Sequence, residues 1–263
     1  MIEDMGLAAP IVCAWMFLSA AAEDPAALIE RAIERGLQNK AKSANWLGRE
    51  DIKRYEIAKN GSKRKLASWV TYEASKLEGQ NYYRVIARDG KPLSAKDAAK
   101  EQARMDAEAE RRRTHPAERG KDSTARRYSI SLPQLLAFHT LRYAGTAEVH
   151  GRRVDIVEAA LRPSAPQPRV SDDLALAGDL TIWVDRETGL VTMQELRVTR
   201  HWGNYAPGSL VRYDLEWNGQ VMVPAKISVT LGRNYIEQVY TNYRHFGSEA
   251  VIQFDTPSTA PGK

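Results

Sequence analysis

The amino-acid sequence predicts a mainly β protein built on one wide, curved antiparallel sheet, with a few helices packed against it. The main observation is the segment 178–231, where apolar and polar residues alternate along four consecutive runs. Tight turns join these runs at Asp185–Gly189 and at Asn218-Gly219, and the second is the strongest hairpin signal in the chain. Because alternate side chains share a face, we expect a sheet with one apolar and one polar face.

The rest of the chain adds strands on both sides of this segment. The first predicted helix begins with Asp24 as N-cap and Pro25 at its first position. Helices are predicted at 25–37, from about 94 to 113, and at 133–138. Further strands bring the total to about ten, and are predicted at 52–58, 66–74, 82–88, 140–149, 152–161, 235–246 and 251–254.

Composition places the chain among folded, globular proteins. Its 263 residues are 27% charged and 43% hydrophobic, so we expect one domain over 23–256 and a disordered tail at 257–263. The net charge of +5 is too small to indicate a nucleic-acid partner. Cys13, the only cysteine, precedes the predicted domain, which excludes a disulfide framework and a cysteine metal site in the processed chain.

The N-terminal residues have the shape of an export signal. Residues 6–22 are apolar and end in small residues before Glu23, which predicts a signal peptide over 1–22, cleavage after Ala22 and a periplasmic protein. Glu3 and Asp4 depart from this pattern, since positive charge is expected there. An uncleaved membrane anchor, a buried N-terminal helix and lipidation of Cys13 are the alternatives.

The helix predicted at 25–37 is amphipathic, with charged residues opposite an apolar stripe. The stripe consists of Leu28, Ile29, Ala32, Ile33 and Leu37. We expect it to be buried, either by ordinary core packing or as a lid over the apolar face of the sheet.

A charged segment interrupts the strands at about 94–127. Its predicted helix has Met105 as its only large apolar residue, so we expect it to pack weakly or to project into solvent. The basic stretch at its end is either a solvated loop or a docking surface for anionic lipid headgroups. The candidate membrane-surface residues are Arg111, Arg112, Arg113, Arg126 and Arg127.

The sequence contains no motif for catalysis or metal binding. Nucleophile-elbow, zinc-protease and phosphate-loop patterns are absent, and the five histidines show no metal-ligand spacing. We therefore predict a protein that is not an enzyme and uses no cofactor and no metal. A hydrolase with dispersed catalytic residues is the remaining enzymatic alternative.

The strands are instead rich in aromatic and aliphatic residues. Core packing explains most of them, but two or three short helices can cover only part of so wide an apolar face. The uncovered, concave part is a candidate ligand site. Its cavity-lining candidates are Leu28, Ile33, Val70, Tyr72, Tyr83, Val85, Tyr143, Ile182, Leu196, Val198, Val211, Tyr213, Leu215, Ile227 and Val229.

Taken together, the export signal, the amphipathic first helix and the long meander resemble the outer-membrane lipoprotein-sorting proteins of the LolA/LolB-like superfamily. The hairpin from Leu180 to Val191 carries the most detailed similarity, and the resemblance spans most of residues 24–256. It implies an incomplete β-barrel covered by a helical lid, which binds lipid or the acyl chains of lipoproteins without catalysis or cofactor. The charged insertion at 94–127 departs from the standard carrier of this superfamily.

Two functional hypotheses follow. In the first, the protein is a monomeric periplasmic carrier for a lipid, a lipoprotein acyl chain or a similar hydrophobic ligand, held between the concave sheet face and the helix at 25–37. In the second, the same fold is an envelope sensor or interaction module that binds a protein partner, with the insertion as its docking arm.

Overall fold

The computed structural model describes residues 24–59, 64–115, 130–169 and 173–246. Some predictions lie outside these residues: the signal peptide at 1–22, the strand at 251–254, the tail at 257–263, and Arg126 and Arg127. The described helices are α1 (Pro25–Ser43), α2 (Ala95–Thr114) and α3 (Leu132–Phe138), and a short 3-10 helix spans Leu174–Ala177. The described strands are β1 (Trp46–Ile57), β2 (Arg64–Leu77), β3 (Gln80–Arg88), β4 (Lys91–Pro92), β5 (His139–Val149), β6 (Arg152–Leu161), β7 (Gly178–Asp185), β8 (Val191–Val198), β9 (Leu210–Asn218), β10 (Val221–Leu231) and β11 (Asn234–His245).

The eleven strands that the structure describes belong to one antiparallel sheet, in the order β4-β3-β2-β1-β11-β10-β9-β8-β7-β6-β5. Consecutive strands pair from β1 to β4 and from β5 to β11, and the pairing of β1 with β11 joins the two halves. Among these described strands, β4 and β5 form the two edges, and the strands do not close into a barrel. The mainly β fold class is confirmed, and the meander predicted over 178–231 corresponds to β7 to β10.

The hydrophobic core lies where α1 and α3 cover the sheet. α1 packs against β5 and β10, and α3 packs against α1, β5 and the 3-10 helix. Leu28, Ile29 and Ala32 of α1 are at most 1% exposed and form one cluster with the apolar face of β6 to β10. Burying a side chain the size of Leu28 or Ile29 contributes about 1.5–3 kcal/mol, so this contact holds α1 on the sheet.

α1 is longer than predicted, and its buried stripe is shorter. The helix continues to Ser43, six residues past its predicted end at residue 37. Leu37, predicted to be part of the buried stripe, is 64% exposed, so this prediction is wrong. At 100° per residue, Leu37 lies about 130° from the centre of the stripe set by Leu28, Ile29 and Ala32, and therefore points away from the sheet.

α2 packs along the edge of the sheet, so the prediction that this helix projects into solvent is wrong. The Glu101 carboxylate accepts a hydrogen bond from the backbone N–H of Val85 (3.0 Å), and Arg104 donates to the carbonyl of Tyr83 (3.0 Å). A hydropathy pattern does not predict this contact, because much of it consists of polar side chains that hydrogen-bond to the open edge of β3. The buried stripe of α2 consists of Glu101, Met105, Ala109 and Arg112.

The turn between β7 and β8 is built around Asp185, as the sequence predicts. Asp185 is 1% exposed, and its Oδ1 accepts hydrogen bonds from the backbone N–H groups of Glu187 (3.1 Å) and Thr188 (2.8 Å). Burial raises the pKa of Asp185, but hydrogen bonds from Arg152 and Thr188 outweigh burial and hold the pKa below its ordinary value. This carboxylate therefore has a structural role in the turn.

Candidate functional site

The apolar face of the sheet continues beyond the part that α1 covers. On β11, Ile236 and Tyr240 pack against the core cluster. The strand register places Glu50 of β1 opposite Tyr240 on one side and opposite Tyr72 of β2 on the other. Since paired residues in a sheet share a face, these side chains lie on the same face as the core, which we call the inner face. The inner face therefore extends from the core across β11, β1, β2 and β3.

One group of the predicted cavity-lining residues belongs to the packed core under α1. Ile33 and Tyr213 are half-buried and pack against this core. A ligand can enter this region only if α1 moves, because the side chains there are already packed against one another. The group, each member at most 7% exposed, consists of Leu28, Ile182, Leu196, Val198, Val211, Ile227 and Val229.

A second group lies outside this cluster. Val70, Tyr72 and Tyr83 are half-buried on β2 and β3, and Val85 is buried beside Glu101 of α2. The structure therefore divides the predicted residues between a packed core and a more exposed inner surface. The two remaining candidates are half-buried and lie on β5 and β9, namely Tyr143, which donates a hydrogen bond to Asp155 (2.8 Å), and Leu215.

The cavity-lining residues predicted from the sequence did not include the polar group at the centre of this inner surface, which is Glu50 with the tyrosines around it. Glu50 accepts a hydrogen bond from the Tyr240 hydroxyl at 3.0 Å. Burial raises the pKa of Tyr83, Tyr240 and Tyr243, and the negative charge of Glu50 raises each further, so these phenols stay neutral. Neutral tyrosines offer an apolar ring together with a hydroxyl that can hydrogen-bond a ligand. Polar residues occur on both alternating faces of 235–246, so the sequence does not assign Tyr240 to an apolar face, and no local signal pairs this strand with Glu50.

A polar clamp attaches α1 to the sheet in addition to its apolar stripe. The Asn39 side chain donates a hydrogen bond to the carbonyl of Met222 and accepts one from the N–H of Met222, both at 2.8 Å. These bonds satisfy the backbone of β10 before its pairing with β11 begins at Lys226. Movement of α1 as a lid requires both bonds to break.

The described basic residues that were predicted to face a membrane are paired within the protein. Arg112 is 2% exposed, donates to the carbonyl of Leu77 (3.0 Å) and forms an ion pair with Glu108 (2.6 Å). Arg111 and Arg113 also form ion pairs with glutamates of α2. The assignment of Arg112 to a membrane surface is wrong, because its side chain points at backbone carbonyls on both sides of the turn between β2 and β3.

Within the described ranges, no cluster of three or more His, Cys, Asp or Glu residues is arranged to hold a metal ion. Over the same part of the chain, no helix combines the length and the apolar character needed to cross a membrane.

Comparison with known proteins gives matches among solved structures alone, since no protein-family model and no curated protein matches the sequence. An outer membrane lipoprotein-sorting protein domain from Vibrio parahaemolyticus is 9% identical, with a TM-score of 0.38 over 86% of this chain and 95% of that chain. A LolA superfamily protein from Nitrosomonas europaea is 7% identical, with a TM-score of 0.35 over 85% and 94%. The MucA/MucB complex from Pseudomonas aeruginosa matches at 13% identity, with a TM-score of 0.27 over 82% and 93%.

The likeness to LolA-like proteins that these matches report is low in both identity and TM-score. At these TM-scores and identities it assigns no ligand, no partner and no residue role.

Proposed function

We propose that the protein is an exported, non-enzymatic binding protein that holds a lipid, a lipoprotein acyl chain or a similar hydrophobic ligand on the inner face of its sheet. One observation carries the proposal: beyond α1, the inner face continues the apolar core while many of its side chains stay half-buried. Ile52, Val70, Tyr72 and Tyr240 belong to this set. A concave apolar surface with a few polar groups is the usual form of a small-molecule site.

The helices leave this surface less covered than the core. In the described residues, α1 and α3 pack mainly on β5 and β10, and α2 packs on β3. An acyl chain laid over β1 and β2 removes water from the half-buried side chains there, and each buried methylene contributes about 0.8 kcal/mol. Glu50 and the neutral tyrosine hydroxyls supply polar groups that can orient the head of an amphiphile.

The proposed lid is α1, which controls access to the deeper part of the inner face. Breaking the two Asn39 hydrogen bonds to Met222 costs roughly 0.5–1.5 kcal/mol each once water replaces them. The larger barrier is exposure of Leu28 and Ile29, so a ligand that replaces their contacts with the sheet would lower the cost of opening.

Val70→Asp tests the proposal, because it places a carboxylate on the inner face outside the packed core cluster. We expect the affinity for a fluorescent fatty acid to fall by about tenfold or more, since a carboxylate beside an acyl chain loses water without gaining a partner. Native mass spectrometry should show a parallel loss of any lipid that copurifies with the protein.

Ala67→Asp is the matched control, because Ala67 lies on the same strand and is exposed. Equal affinity in the wild type and in folded Val70→Asp would exclude the inner face of β2 as the ligand site. The sequence-based list of cavity-lining residues also suggests Leu215→Asp and Val229→Asp as tests of ligand binding. Val229 is 0% exposed in the core, however, so aspartate there is expected to unfold the protein and is not informative about the ligand.

The compartment is tested separately by expressing the full chain in a Gram-negative host. A mature mass that lacks residues 1–22 in the periplasmic fraction would support export. A full-length protein in the cytosol would contradict this part of the proposal without affecting the binding test.

A further inference from the structure

A pocket of about 310 Å³ lies where β1, β2, β3 and β11 meet the residue that follows β11. Its walls combine the arginines Arg49, Arg84 and Arg244 with the carboxylate of Glu73 and the apolar side chains of Ile86 and Phe246. A pocket with both guanidinium groups and apolar walls suits a ligand that has an anionic and an apolar part.

The strand register brings three of these charged residues into one row. Glu73 of β2 lies opposite Arg49 of β1 on one side and opposite Arg84 of β3 on the other. Successive side chains along a strand point to opposite faces, and Arg49 is adjacent to Glu50 of the inner face. The row therefore lies on the opposite face of the sheet, which we call the outer face, away from the proposed hydrophobic ligand.

Two of these arginines, Arg49 and Arg244, retain hydrogen-bonding capacity. The side chain of Arg244 is 70% exposed and meets Glu73 at 3.9 Å, the outer limit of an ion pair. Arg49 Nε is buried without a hydrogen-bond acceptor among the described residues, and its nearest carboxylate oxygen, on Asp51, is 3.5 Å away. Asp51 Oδ1 accepts hydrogen bonds from Thr71 and Trp69, whereas its Oδ2 is the atom that faces Arg49 Nε. At 3.5 Å this contact is an ion pair without hydrogen-bond geometry, and the Arg49 side chain is 39% exposed, so its guanidinium can take a further acceptor.

We propose that this pocket binds a phosphate group, with an apolar substituent of the ligand lying against Ile86 and Phe246. The planar guanidinium fork matches the geometry of phosphate oxygens and forms charge-assisted hydrogen bonds with them. Arg49 and Arg244 donate to the phosphate, and without a ligand Arg244 pairs with Glu73 and Arg49 with Asp51. The phosphate belongs either to a lipid headgroup or to a free phosphate compound.

Titration calorimetry of the full chain with inorganic phosphate and with dihexanoyl phosphatidate below its micelle concentration tests this proposal. We expect saturable binding that weakens about tenfold in Arg49→Gln and in Arg244→Gln, because each loses a charge-assisted hydrogen bond. Glu73→Gln should bind about threefold more tightly, since it removes a competing negative charge. Tighter binding of the phosphatidate supports a lipid headgroup, and equal binding of both probes supports a free phosphate.

Arg142→Gln is the matched control, because Arg142 is exposed on β5 and pairs with Glu158. The same loss of affinity in Arg142→Gln, or no saturable binding of either probe by the wild type, would overturn the proposal. Arg244→Gln decides the outcome if Arg49→Gln fails to fold, because the Arg244 side chain is largely exposed. Val70→Asp should leave phosphate binding unchanged, which separates this site from the inner-face site.

Discussion

Glu101 of α2 accepts a hydrogen bond from the backbone N–H of Val85 at 3.0 Å, so a helix side chain closes the free edge of a β-strand. One side of β3 pairs with β2, whereas on its other side the described pairing is limited to Ala87 and Arg88 with β4. Open strand edges invite pairing with other chains. The described helix of the charged insertion is therefore part of the fold and protects the sheet.

Glu101→Ala should destabilise the protein by about 1–3 kcal/mol, because it leaves the buried Val85 N–H without its acceptor. It also removes the ion-pair partner of Arg104. Denaturant unfolding measures the loss, and sedimentation velocity should reveal self-association through the uncovered β3 edge. Asp106→Ala, on the exposed side of the same helix, is the control. If the Glu101→Ala protein were as stable and as monomeric as the wild type, the hydrogen bond from Val85 to Glu101 would not be needed to protect the edge of β3.

Asn39→Ala should destabilise α1 by about 1–3 kcal/mol, because it removes both hydrogen bonds to the backbone of Met222. Amide hydrogen exchange should then accelerate at Met222. If α1 is the lid, bound lipid should also dissociate faster. Gln38→Ala, an exposed neighbour on the same helix, should change neither rate. Unchanged exchange at Met222 in Asn39→Ala would rule out the clamp as a determinant of α1 stability.

Glu108 should make stability depend on pH in the acid range. Hydrogen bonds from Arg111 and Arg112 outweigh burial and lower the pKa of Glu108 from 4.5 to about 2. Because the folded-state pKa is depressed, the ionised carboxylate stabilises the folded state above pH 4.5, and this contribution is lost as the pH falls from 4.5 towards 2. Glu108→Gln should therefore be less stable than the wild type at neutral pH, and the difference should shrink towards pH 2.

Urea unfolding across this acid range measures the effect of Glu108. Glu110→Gln, which changes a 64% exposed carboxylate one residue from Arg111, is the matched control and should give a smaller difference. A stability difference between Glu108→Gln and the wild type that does not change with pH would contradict the role assigned to these ion pairs.

Two glycines should respond in opposite ways to alanine. A Cβ on Gly178 would lie 2.0 Å from the carbonyl oxygen of Arg197, so the backbone must shift and Gly178→Ala should cost about 1–3 kcal/mol. Gly36 lies within α1 with open space around its Cβ position, so Gly36→Ala should stabilise the protein by about 0.5–1 kcal/mol. Thermal unfolding of the two variants measures both effects. If Gly178→Ala left the stability unchanged, β7 and β8 would be able to move apart at this position at little cost.

The inner-face site was predictable only in part. Val70 and Val229 both occur in alternating strands and were both predicted to line a cavity. Val229 is 0% exposed in the core, whereas Val70 is half-buried outside it. The difference depends on where α1 packs along the sheet. That contact joins distant segments, since Asn39 and Met222 are 183 residues apart. Alternation within a strand identifies a face but does not show what covers it.

The sequence by itself determined the strands of the meander, the Asp185 turn and the N-cap at Asp24, whose side chain accepts from the N–H of Ala26 (3.1 Å). Each of these depends on residues within a few positions, so local spacing and turn chemistry suffice. The tertiary structure decided the pairing of β1 with β11, the edge contact of Glu101 and the outer-face row around Glu73. These arise when distant strands and helices meet, and no local pattern records which polar side chains will then become partners.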